Sequence, residues 1–328
     1  MKTAVVTAIG SFSADIVIKN AARLGIRVIG CDIYPAEWIA DSSNVSAFYQ
    51  VPLATEEEAY VEAVSSICKK EGAKGLIVLT DVEVDVWNRN RSRLEEDGVT
   101  LCLSSEETIS ICRDKMKLYE LLHKEGIGNP IPTKRLKGLS PELISYPAVV
   151  KPYNGRSSQG LTYLYSREEM ERFLAGTQAE NYVVQPYLKG SVITVDVIRQ
   201  TDPDRFAAVC RRELLRTPNG AGTSVFVFEN KTLEAVCIEA ANILGIIGCV
   251  NFEFIEEADG TFRMLECNPR FSGGVEFSCM AGYDFISNHI KCFTGEEIEL
   301  THPITEMYIA RKYEEYVTKV VNEEGRES

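Results

Sequence analysis

The chain has 328 residues, enough for two or three domains with real cores, and its hydrophobic and charged fractions are those of an ordinary globular protein. A formal net charge of −13 argues against a nucleic-acid or anionic-membrane partner, so an anionic substrate would need a local basic site. No apolar run is long enough to span a membrane, the run after Lys2 is too short for a signal peptide, and the ten cysteines lack C-x-x-C or Cys/His spacing, so reduced core thiols in a cytoplasmic protein are expected.

The first hundred residues alternate strand and helix. Strands are expected near Ala4 to Ala8, Arg27 to Cys31, Gly75 to Leu79 and Val99 to Leu103. Helices are expected near Ser13 to Leu24, Glu56 to Glu71 and Val84 to Asp97. That rhythm predicts a parallel sheet covered on both faces. Asp32 at a strand end suggests a dinucleotide site, yet the first turn, Ala8-Ile9-Gly10-Ser11-Phe12, lacks the G-x-G-x-x-G glycines. The loop Thr80-Asp81-Val82-Glu83 lies where open sheets bind ligands and holds either a substrate amine or the cap of the next helix.

Ser104 to Glu107 opens a helical region carrying Asp114, Lys115 and Lys117 up to about Glu125, and the turn-rich stretch from Gly126 to Pro132 follows. Beyond it the pattern changes to hairpins and helices. The strand Ala148 to Val150 runs into Lys151-Pro152 and a loop from Asn154 to Gly160. Small residues beside a strand-end lysine can fold over phosphates, although the sequence is not a P-loop, and a plain hairpin turn is the alternative. Gln185-Pro186-Tyr187-Leu188 reads as a hinge, Arg211 and Arg212 fall on one strand, and Asn219 to Thr223 is a second glycine loop. A helix is expected over Leu233 to Leu244, a helical region over Val275 to Phe293, and a strand over Met307 to Val321. His123, His289 and His302 fit no triad or metal spacing and read as structural or surface residues.

Between Gly245 and Gly274 lie two strands, Val250 to Ile255 and Thr261 to Glu266, with Asp259-Gly260 as a two-residue turn. Counting back from that turn pairs Glu253 with Glu266 and Asn251 with Asn268. Glu253, Glu266 and Asn268 then share one face, with Phe252, Phe254 and Leu265 turned away. Opposed carboxylates repel, and an all-oxygen set suits Mg²⁺ or Mn²⁺ between them. A solvated strand face is the alternative.

In order along the chain, a helix lysine is followed by V-V-K-P, a glycine loop, V-V-Q-P-Y-L-K-G, an arginine pair and L-E-C-N-P-R. This order resembles the ATP-grasp superfamily over nearly the whole chain. The likeness is greatest to the synthetase domains of the carbamoyl-phosphate synthase large subunit and their single-module relatives. The resemblance implies a mixed α/β and α+β fold. An N-terminal parallel α/β domain (1–104) would precede a two-lobed grasp, with a small lobe at 105–189 and a large lobe at 190–328. It implies that Lys115 and Lys151 contact ATP phosphates, and that Gly155, Ser157, Ser158 and Gly160 close over them. Gln185, Pro186, Tyr187 and Leu188 would bind adenine. Glu253, Glu266 and Asn268 would hold Mg²⁺ or Mn²⁺, and Arg270 with Arg211 or Arg212 would stabilise the transferred phosphoryl group. Val192 stands where relatives usually carry a ribose-binding glutamate, so ribose recognition would be loosened, rearranged or taken over by Ser191.

The implied chemistry is carboxylate activation by ATP, giving an acyl phosphate that an amine attacks. The partners are then a small carboxylate and a small amine, with homodimerisation left open. A carbamoyl-phosphate synthase proper would need two synthetase modules, and there is no internal repeat. A non-catalytic nucleotide-binding subunit remains the alternative from another class.

Overall fold

The structure, a computed structural model, describes residues 1–156, 158–218, 220–300 and 303–321; Ser157 and His302 lie outside them. The N-terminal region runs β1 (Thr3–Val6), α1 (Ala14–Arg23), β2 (Arg27–Asp32), β3 (Ala47–Gln50), α2 (Glu57–Glu71), β4 (Gly75–Ile77), α3 (Asp81–Arg89), α4 (Arg91–Glu96) and β5 (Thr100–Leu101). Its five strands are parallel in the order β3-β2-β1-β4-β5. Strand order reverses between β1 and β4, so the loops after these two strands diverge and leave a crevice at their carboxyl ends. The single helix expected from Val84 to Asp97 is two. The Asn90 side-chain amide donates to the Val86 carbonyl at 2.8 Å, four residues back, and so competes with the helix ladder at the break.

Next come α5 (Glu106–Cys112), α6 (Lys115–Glu125), β6 (Lys134–Arg135), β7 (Ala148–Pro152), β8 (Thr162–Leu164), α7 (Arg167–Ala175) and β9 (Tyr182–Pro186). Their four strands form an antiparallel sheet, β6-β9-β7-β8, with its own small core around Val150, Leu164, Met170 and Val184. The rest is β10 (Ser191–Arg199), β11 (Phe206–Arg216), β12 (Gly222–Phe228), α8 (Lys231–Ile243), β13 (Gly248–Glu256), β14 (Phe262–Asn268), α9 (Val275–Met280), α10 (Phe285–Cys292) and β15 (Met307–Ala310). These make a six-stranded antiparallel sheet, β14-β13-β10-β11-β12-β15. The helical region after Val275 splits at Gly282, whose φ of +125° no helix continues through. The expected strand to Val321 ends at Ala310, where the chain leaves the sheet and Arg311 donates to the Phe12 and Gly273 carbonyls.

Two cores fix the geometry around the cleft. On one side of the large sheet, Val195, Phe252 and Phe254 pack with Leu118, Leu122 and Cys237 of the surrounding helices. On the other, Ile198, Val225 and Phe285 join Val6, Ile9 and Val17 of the N-terminal region in one continuous apolar cluster. The parallel sheet and the large antiparallel sheet therefore meet through buried side chains, and the crevice after β1 and β4 opens toward β13 and β14. Among the described residues, no helix is long and apolar enough to cross a membrane.

Candidate active site

A cleft of about 950 Å³ runs between the three sheets, and the β13–β14 hairpin is its floor. Asn251 pairs with Asn268 and Glu253 with Glu266, the register read from the turn. The turn itself differs. Glu257 N–H donates to Thr261 O, which leaves the three-residue loop Ala258-Asp259-Gly260 with Gly260 at φ +82°. A bulge between Glu253 and Phe254 on one strand and Met264 and Glu266 on the other absorbs the extra residue. Leu265 is therefore not turned away with Phe252 and Phe254: the bulge swings it into the cleft beside Ile255 and Glu266.

Glu266 has Lys115 Nζ at 3.4 Å, and Lys115 also donates to the Gly155 carbonyl at 3.0 Å. Burial pushes the Glu266 carboxyl up, but Lys115 and Lys151 outweigh it and hold Glu266 below the usual carboxylate range. Burial and then the Glu266 charge push its partner Glu253 well above that range. Arg216 answers this in part with a contact of 3.2 Å to Glu253. Asn268 donates to Asn251 Oδ1 at 3.2 Å and to Glu266 Oε1 at 3.4 Å, which leaves its own Oδ1 without a partner among the described residues. Two opposed, partly buried carboxylates with an amide oxygen beside them that is free among the described residues fit a divalent cation. No group of three His, Cys, Asp or Glu gathers among the described residues, so the amide would complete the set.

Lys151 lies near the end of β7 facing the same space and is 7% exposed, and its ammonium makes no hydrogen bond or ion pair among the described residues. Burial lowers its pKa to about 8, against the opposing pull of Glu266. A buried ammonium without a partner is costly, and an anion in the cleft would relieve it. Gly155, Ser158 and Gly160 lie over this end. Gly160 takes φ +71°, and a Cβ there would come within 3.0 Å of Pro152. The second glycine loop approaches the first, since a Cβ at Gly220 would lie 3.9 Å from Ser158 Oγ.

At the other end of the cleft, Gln185, Pro186, Tyr187 and Leu188 line an apolar slot with Ile131, Val149, Val192, Ile255 and Leu265. Gln185 is tied to Thr133 at 2.8 Å, whereas the Leu188 N–H has no partner among the described residues. Val192 faces the slot, but Ser191 is exposed and outside it, because adjacent strand residues point to opposite faces. Ser191 is thus not among the residues lining the cleft.

The same alternation separates the two arginines. Arg211 lines the cleft at 1% exposure and is held by Asp196, by Glu213 at 3.1 Å, and by Ser278 and Ser272 at 2.8 and 2.7 Å. Arg212 does not reach the site. It points to the opposite face, where Glu256 binds it at 2.7 Å and the Phe228 ring lies 5.1 Å away.

Arg270 donates to Asp81 at 2.7 Å and to the Phe271 carbonyl at 2.9 Å. Thr80 and Glu83 form the helix cap of α3, so the cap reading of that loop holds while Asp81 serves Arg270. Burial pushes Asp81 up, yet Arg270 and Arg113 hold it below the carboxylate range. Arg113 also grips Asp85 and the Asn154 carbonyl, linking the N-terminal region to the glycine loop. Arg113 and Arg216, and the pairing of Asp81 with Arg270, are not signalled by the sequence, because each role arises only through distant contacts. Asp32 has both oxygens occupied by the Gly10 and Tyr34 amides, at 2.8 and 3.1 Å. His289 is a core residue, packed on Phe271 and accepting from the Cys249 N–H at 2.9 Å.

Residues 178–315 match the family model described as "ATP-grasp in the biosynthetic pathway with Ter operon". The chain folds as an ATP-grasp protein. The carbamoyl phosphate synthase large chain of Agathobacter rectalis is 26% identical over 302 residues, which is 85% of this chain but only 27% of that protein. The chain thus spans about a quarter of that relative's length. Among solved structures, the biotin carboxylase domain of Hydrogenobacter thermophilus 2-oxoglutarate carboxylase, determined with MgADP and bicarbonate, has a TM-score of 0.76 at 17% identity. The match covers 91% of this chain and 71% of that one. The L-amino acid ligase of Bacillus licheniformis has a TM-score of 0.68 at 19% identity, covering 89% and 73%. Both share the ATP-grasp fold with this chain.

Proposed function

We propose that this chain is an ATP- and Mg²⁺-dependent carboxylate–amine ligase acting on a small metabolite or amino acid through an acyl phosphate. The observation that carries this reading is the buried Lys151, whose ammonium is unpaired among the described residues, beside the Glu253–Glu266 pair. A cation that needs an anion and an anion pair that needs a cation, side by side, fit a polyphosphate with its metal.

In this reading the Leu188 amide and the Pro186 carbonyl address adenine, while Ile131, Val149, Val192 and Leu265 sandwich it. Lys115 and Lys151 position the phosphates, and the loop from Gly155 to Gly160 excludes water from them. Bound at Glu253, Glu266 and Asn268, Mg²⁺ would neutralise phosphate charge during transfer. Arg270, held by Asp81, faces the charge that develops on the transferred phosphoryl group and orients the carboxylate. Arg211, already occupied by Asp196, holds this wall together and serves the site indirectly. Residues 105–189 and 190–328 would be the closing lobes, and 1–104 the wall behind the second substrate. Ten free thiols, eight of them buried, support a reducing cytoplasmic setting.

The test is ADP release across a panel of small carboxylates with hydroxylamine as the amine. Carboxylate-dependent ADP release with stoichiometric hydroxamate is expected. ATP binding with no ADP release for any carboxylate would instead favour a non-catalytic nucleotide-binding subunit.

A further inference from the structure

Past Arg270 the cleft continues along the N-terminal wall, built from the chain segments that follow β1 and β2. Ser13 on this wall is 3% exposed and its hydroxyl makes no hydrogen bond among the described residues. The buried Ser11 hydroxyl likewise has no partner. Next to them stand Tyr34 and Trp38, 50% and 72% exposed, with ring centroids 5.7 Å apart and 33° between their planes. Leu53, 48% exposed, flanks them. Exposed aromatics gathered on one cleft wall are unusual, because burying such rings is among the largest apolar gains available to a fold.

The turn that presents these rings is held in place. Asp32 accepts the Tyr34 N–H at 3.1 Å. The C-terminal segment reaches back to the same turn, where the Thr318 hydroxyl donates to the Glu37 carbonyl and Lys319 pairs with the Glu37 carboxylate, both at 2.5 Å. A fixed aromatic pair lining the same cleft as Arg270 and two hydroxyls unpaired among the described residues has the pattern of a small-molecule subsite: apolar walls with a few convergent polar groups.

We propose that this wall is the specificity subsite of the ligase, and that the carboxylate substrate carries an aromatic ring that packs on Tyr34 and Trp38. Its polar stem lies toward Ser11 and Ser13, and its carboxylate toward Arg270. The assignment rests on the ligase reading for the direction of the carboxylate. The adenine slot occupies the opposite end of the cleft, so the two rings do not compete.

The chain has two tryptophans, and Trp87 is fully buried, so collisional quenching by acrylamide reports on Trp38. L-Phenylalanine and 3-phenylpropionate are expected to protect it, and L-serine and succinate are not. In ADP release, Trp38→Ala should raise the KM for the phenyl carboxylates about tenfold while the KM for ATP holds, with Trp38→Phe recovering most of the loss. Protection without ADP release from any carboxylate would sustain the subsite and sink the ligase reading. ADP release with serine or succinate and no protection by either phenyl compound would do the reverse. Loss of a wild-type dimer in Trp38→Ala, seen by size exclusion, would overturn the proposal in favour of a second copy of the chain covering the wall.

Discussion

The floor of the cleft and its N-terminal wall are built on opposite plans. On the floor, nearly every charged group has a partner within the protein: Glu266 with Lys115, Arg270 with Asp81, Arg211 with Asp196, Glu253 with Arg216. What remains is electrostatic: burial and Glu266 push the Glu253 carboxyl up despite Arg216, and the Lys151 ammonium has no ion-pair partner among the described residues. On the wall stand hydroxyls without a partner among the described residues, beside the exposed Tyr34 and Trp38 rings. A site that any ATP-dependent ligase needs can be prepaid by such ion pairs, because its charged ligand is always the same. A wall that selects one substrate keeps its surface unsatisfied until that substrate arrives.

The largest effect is expected for Glu266→Ala. Mg²⁺-dependent ADP release should fall at least about 10²-fold with the melting profile of a folded protein retained. Turnover at the wild-type rate would remove the floor from the metal reading. Next is the contrast between neighbouring arginines. Arg211→Met strands the fully buried Asp196 and should cost about 3–5 kcal/mol in denaturant unfolding. Arg212→Ala breaks a partly exposed pair and should cost less than about 1 kcal/mol, with ADP release kept. Equal losses would mean that Arg212 has a role the strand geometry denies it.

Glu253→Gln removes a charge that the floor holds at a cost. Burial and Glu266 raise the Glu253 pKa, so the fold prefers its neutral form. Wild-type stability then falls as pH rises from the ordinary carboxylate range toward that raised value, and the substitution removes the loss. The metal-free variant should melt a few degrees higher than wild type near pH 8 and show a flatter dependence of Tm on pH. It should also lose Mg²⁺-dependent ADP release. A lower Tm at that pH would show that the carboxylate is stabilised by the floor rather than strained by it. The smallest effect is expected for Tyr34→Phe on the wall. The ring is kept, so KM for a phenyl carboxylate should move less than about threefold.

The parts of the molecule legible in the sequence are those set by local rules. Alternation and a glycine turn give the β13–β14 floor, and the strand–helix rhythm gives the parallel sheet. The register of Glu253 and Glu266 agrees for a less simple reason: a three-residue loop and a bulge offset each other, and only Leu265 betrays the difference by entering the cleft. Period two also explains why Arg211 and Arg212 were both candidates. Alternation says that they face opposite ways, but only the packed sheet says which one faces in. Asp81 meets Arg270 across 189 residues of chain, and Trp38 closes a single short 3₁₀ turn over Ala36–Trp38. No local pattern signals either.

The proposed function requires the floor to bind ATP together with a divalent cation. Titration calorimetry of ATP into the wild type and Glu266→Ala, each with and without Mg²⁺, tests it most directly. The account predicts wild-type binding that tightens when Mg²⁺ is present, and weaker binding in the variant that Mg²⁺ does not improve. No binding to the wild type, or the same Mg²⁺ gain in both proteins, would contradict it.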